Sequence, residues 1–96
     1  MKKIINGVKY DTDTAICQYK RNNMIDNDIY VSLYQKRQGA FDMFLLTVNN
    51  SVRIGNKESF PVGEDIIPLT DKEAKEWAER RMPVDTYEAI FGIVEE

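Results

Sequence analysis

The sequence predicts an α+β fold: a small antiparallel sheet built from hairpins, with one short N-terminal helix and two C-terminal helices packed on it. Three observations carry that expectation. Asn6-Gly7 stands between two short runs of strand-forming residues, segment 29–48 divides into two apolar arms about Gln38-Gly39, and Thr70 to Gly92 contains the start and stop signals of two successive helices. At 96 residues, 43% hydrophobic and 30% charged, the chain has the size and composition of one folded domain, residues 1–96, with a modest core.

Asn6-Gly7, between Lys3-Ile4-Ile5 and Val8-Lys9-Tyr10, predicts a two-residue type I′ hairpin, because that turn needs positive φ at both central positions. Asp11 or Thr12 then caps a short helix reaching Lys20 or Arg21, with Ala15, Ile16 and Tyr19 on one face and two cations at its negative end. Between Ile29 and Val48, a turn at Gln38-Gly39 places Ile29, Val31 and Leu33 opposite Val48, Leu46 and Phe44 as one apolar face. The other face, with Tyr30, Ser32, Tyr34 and Lys36 against Thr47, Leu45, Met43 and Phe41, is still too apolar for open water, so a covering layer is expected. A third, shorter strand follows through Val52 and Ile54. Thr70 as N-cap, Glu73 as its capping-box partner and Leu69 against Ala74 start a helix that gathers Ala74, Trp77, Ala78 and Met82 on one side. Pro83 stops it and opens the next helix, which carries Tyr87, Ile90 and Phe91 inward and ends at Gly92.

Composition excludes much chemistry. Histidine is absent and cysteine occurs once, so Ser-His or Cys-His triads and histidine-ligated zinc cannot be assembled within the chain. Cys17 has no partner for an intramolecular disulfide and reads as a small buried hydrophobe in a reducing compartment. The longest apolar run, Met43 to Leu46, is far short of the ~20 residues a membrane span needs, and the start has no signal-peptide apolar region. A cytoplasmic protein without a membrane partner is expected. Asp11 with Asp13, and Asp26 with Asp28, lie in turn-rich stretches where aspartate caps amides more often than it binds metal, so no metal, cofactor or catalytic residue is assigned. Glu73-Ala74-Lys75 resembles the tail of a nuclease motif, but Glu73 already serves the capping box.

The net charge of −3 hides an uneven distribution: residues 1–57 hold nine Lys or Arg against five Asp, and residues 58–96 hold four against eleven acids. Lys20, Arg21, Tyr30, Tyr34, Lys36 and Arg37 would suit a nucleic-acid track if the tyrosines were exposed, but the chain is acidic and tyrosine is an ordinary strand residue. Excess acid at Glu58, Glu64, Asp65, Asp85, Glu88, Glu95 and Glu96 would suit a basic groove on a partner if those groups converge.

Tyr10-Asp11-Thr12-Asp13-Thr14-Ala15, Leu33-Tyr34-Gln35-Lys36-Arg37, Ile66-Ile67-Pro68-Leu69-Thr70 with Glu73-Ala74-Lys75-Glu76-Trp77, and Tyr87-Glu88-Ala89-Ile90-Phe91-Gly92 follow one another in an order that resembles a group of small proteins of Gram-positive bacteria and their mobile elements and phages. Some small proteins of this kind are anti-CRISPR inhibitors of Cas9. The chain departs from that group at residues 21–28 and 41–61, where partner-facing residues would differ. The resemblance implies a non-enzymatic inhibitor that binds a protein with a basic surface, Cas9 or the Cas9–guide RNA complex. Glu64, Asp65, Asp85, Glu88 and Glu95, from the acidic excess, and Tyr30 and Tyr34, from the second face of the hairpin, are the candidate partner-binding residues. Two alternatives are an accessory protein of a mobile element that pairs through the Tyr30, Tyr34 and Met43 face, including with its own copy, and a metal-dependent ribonuclease using scattered carboxylates.

Overall fold

The computed structural model describes residues 1–22, 30–36 and 42–92. It is an α+β arrangement of antiparallel sheets with two C-terminal helices. The first hairpin forms as its sequence dictates: β1 (Lys2–Ile5) and β2 (Val8–Asp11) pair with Ile5 opposite Val8, and Asn6 and Gly7 both take positive φ, 52° and 77°.

The expected N-terminal helix is not there. Asp11 does cap a turn, accepting from Asp13 N at 2.9 Å while its carbonyl accepts from Ala15 N at 3.1 Å, but one turn later the chain extends into β3 (Ile16–Asn22). Ile16 and Tyr19 suit a strand as well as a helix, and pairing with β4 (Tyr30–Gln35) decides between them. The register of β3 on β4 shifts between Cys17 and Tyr19.

Strands β3, β4, β5 (Met43–Val48) and β8 (Glu64–Leu69) make the main sheet in that order, all antiparallel. Between β4 and β5 the register is one residue from the expected one: Tyr30 lies opposite Val48, Val31 opposite Thr47 and Leu33 opposite Leu45. The reason lies in β5, where Met43, Phe44, Leu45 and Leu46 are all buried, so its sequence offers no alternation to fix which residue faces which layer. The Gln38-Gly39 turn falls outside the described residues. Val52 and Ile54 do not extend the sheet: β6 (Arg53–Ile54) pairs with β7 (Lys57–Glu58) in a separate small ribbon. The fourth strand is β8, which the sequence disguises with Pro68, a residue tolerated at an edge where its missing N–H faces away from the neighbour.

Both faces of the sheet are covered. On one, Val31, Leu33, Met43, Leu45, Ile67 and Leu69 meet Ala74, Trp77, Ala78 and Met82 of α1 (Asp71–Arg81) and its end, with Tyr87, Ile90 and Phe91 of α2 (Val84–Phe91) beside them. On the other, Phe44, Leu46 and Ile66 meet Ala15, with Ile5 and Tyr10 of the first hairpin, which supplies the cover that the sequence requires. α1 begins with the expected capping box, Glu73 N to Thr70 Oγ1 at 3.2 Å and Thr70 N to Glu73 Oε1 at 3.0 Å, and α2 follows Pro83 and ends at Gly92. Among the described residues, no helix is long and apolar enough to cross a membrane.

Candidate functional site

Between β7 and β8 the chain runs Ser59-Phe60-Pro61-Val62-Gly63, and its base is fastened at both ends. Ser59 is buried, with N donating to Val52 O at 3.0 Å, Oγ donating to Asn50 O at 2.8 Å, and Oγ accepting from Val52 N at 2.9 Å. Phe60 N donates to Asp65 Oδ2 at 2.8 Å. At the far end Asn49 N donates to Gly63 O at 2.9 Å and Gly63 N to Asn49 Oδ1 at 2.8 Å, a close exchange helped by positive φ at both Gly63 (79°) and Asn49 (50°). Six hydrogen bonds therefore hold a backbone whose tip side chains are left in water: Phe60 is 70% exposed and Val62 80%.

Beside this loop lies a groove of about 580 Å³ between the first hairpin and the outer edge of β8. Phe60, Ile4 and Val8 all line it, and Ile4 is 73% exposed. Its two lysines are committed internally. Lys3 Nζ holds Asp65 Oδ1 at 2.6 Å, and Lys57 Nζ donates to Pro68 O and Glu73 Oε1, each at 2.7 Å. The exposed apolar side chains on this side are Phe60, Ile4 and Val8, with the exposed Glu64 at the far end of the loop.

The residues singled out from sequence divide accordingly. Asp65 is 4% exposed and accepts from Lys3, Phe60 N and Ile66 N, so it is an internal fastener and not part of a contact surface. Burial pulls its pKa up, but those hydrogen bonds and the Lys3 charge outweigh burial and leave it below the ordinary aspartate value. Glu58 is exposed and bonded to Ser51 and Arg53, which lower its pKa in that order. Glu64 and Asp85 are exposed, on β8 and on the first turn of α2, whereas Glu88 is partly buried and has interactions within the chain. Glu95, Glu96, Asp26, Asp28 and Arg37 lie outside the described residues.

The tyrosines are not an open stacking platform. Tyr34 stacks on Phe44 with ring centroids 5.4 Å apart, and Lys20 Nζ sits 4.4 Å above the Tyr30 ring. Burial first, then Glu64 for Tyr30 and Cys17 for Tyr34, raises both phenol pKa values. Met43 is buried on the opposite face, so Tyr30, Tyr34 and Met43 do not form one contact surface. Cys17 is exposed on the edge strand rather than buried. Asp11 is buried in its turn, as capping requires. Sequence reading missed Phe60 and Val62; the available signal was apolar side chains in a stretch with Pro61 and Gly63 and no strand or helix period.

No protein-family model, curated protein or solved structure matches the chain.

Proposed function

We propose that this chain is a non-enzymatic protein-binding inhibitor that makes contact through Phe60, Val62 and the neighbouring groove rim of Ile4 and Val8. Following the resemblance of its motifs to mobile-element proteins, the proposed partner is Cas9 or the Cas9–guide RNA complex. One observation carries the binding reading: large apolar side chains held in water on a backbone fastened at both ends. Such a tip gives up little conformational freedom on docking, and an aromatic anchor such as Phe60 carries a large share of an interface's energy. Glu64 beside it, exposed at the start of β8, favours encounter with a basic surface.

The test mixes purified protein with Cas9, with and without guide RNA, and measures complex formation and DNA cleavage. A complex and reduced cleavage are expected. Phe60→Ala with Val62→Ala should weaken both by roughly 30-fold or more, the equivalent of a 2 kcal/mol hot spot. Unchanged cleavage and no complex at micromolar concentration would reject the partner; full inhibition by the double variant would reject the contact surface.

A further inference from the structure

At the other side of the sheet, cations gather at the end of α1. Tyr19 of β3 connects the two elements: its Oη donates to Arg81 O at 3.2 Å and its ring meets Trp77 edge-on at 6.3 Å. Arg21 is the next residue but one along β3, past the bulge and in regular register with β4, so it lies on the same helix-facing side as Tyr19. Arg81 is held in place, with Cζ 5.3 Å over the Trp77 ring and Nη1 donating to Trp77 O at 3.3 Å. Arg80 precedes it. Burial, then the charges of Arg21 and Arg80, lower the pKa of Arg81, as expected of guanidinium groups close together.

Among the described residues no carboxylate forms an ion pair with Arg21, Arg80 or Arg81. On α1, Glu76 lies 3.9 Å from Lys72 and forms no ion pair with Arg80 one turn further on. The negative end of the α1 dipole supplies about half a charge against three. Guanidinium forks match phosphate oxygens in geometry as well as charge.

We propose that Arg21, Arg80 and Arg81 form a phosphate-binding site at the junction of β3 and α1, which takes the phosphate groups of a nucleic-acid backbone or of a small polyphosphate. Trp77 is the one tryptophan in the sequence, and Arg81 lies over it, so its emission reports occupancy. Pyrophosphate is titrated against Trp77 emission, and a fluorescein-labelled oligouridylate of about ten nucleotides against anisotropy. Saturable binding of the oligonucleotide, with log affinity falling against log salt at a slope of about −2 for three contacts, identifies the backbone source. Saturation by pyrophosphate alone identifies the small anion. Arg21→Gln with Arg80→Gln, which leaves the Arg81–Trp77 packing in place, should weaken binding at least tenfold with an unchanged melting temperature, and Arg21→Lys with Arg80→Lys should recover part of it. Absence of saturation by either probe at about millimolar concentration, or wild-type binding by the double glutamine variant, overturns the proposal.

Discussion

At the β8 edge of the sheet, Pro68 has no N–H to offer and its carbonyl takes Lys57, while the Ile66 N–H takes the carboxylate of Asp65. At the β3 edge, Ile16, Cys17, Lys20 and Arg21 stand exposed, and a bulge at Cys17/Tyr19 and two cations are what discourage another strand from pairing there. The first edge is closed with buried or half-buried polar groups that also tie down the 59–63 loop and the first hairpin. The second is defended with surface charge and tied inward chiefly through Tyr19. An edge closed from within makes stability depend on a few side chains; an edge defended by charge tolerates change and leaves that charge free for other uses.

The comparison breaks most sharply at Asp65. Asp65→Ala strands Lys3 and the amides of Phe60 and Ile66, and should cost about 3 kcal/mol or more in urea unfolding. Because its folded pKa lies below the unfolded value of about 3.9, its contribution is present above that value and lost as pH falls through the folded one. Asp65→Asn should therefore unfold with a flatter acid limb than wild type; an identical limb would show that other carboxylates set it. Next comes Lys57→Met, which removes bonds to Pro68 O and Glu73 from a side chain 39% exposed, with an expected loss of about 1 kcal/mol by the same measurement. On the opposite edge, Tyr19→Phe should cost about 0.5–1.5 kcal/mol through the lost bond to Arg81 O. The smallest effect belongs to Cys17→Ser, within about 0.5 kcal/mol, and the wild-type thiol should react with a disulfide reagent in the native protein without prior unfolding. A Cys17 that reacts only after denaturant is added would erase the difference between the edges.

What the sequence made legible was local. Asn6-Gly7, the Thr70–Glu73 box, the Trp77 face, Pro83 and Gly92 each act within a few residues, and each stands where it was expected. Contacts between distant residues were not legible. Asp65 looked like surplus surface charge because its partner Lys3 is 62 positions away, and Ser59 gave no sign that it would fasten Val52 and Asn50. The strand at Ile16–Asn22 was hidden by residues that satisfy two periods at once, and the β5 register by a run buried on both faces. Phe60 and Val62 escaped notice because an exposed apolar residue gains meaning only when the backbone beneath it is known to be fixed.

The closed base of the 59–63 loop makes its summit a replaceable part. Bonds from Ser59 and Gly63 to the 49–52 segment bear the structural duty, and Phe60, Pro61 and Val62 bear none of it through their side chains' exposed surfaces. Randomising those three positions would explore new recognition while the melting temperature stays nearly constant. The molecule can thus change what it greets without renegotiating how it folds.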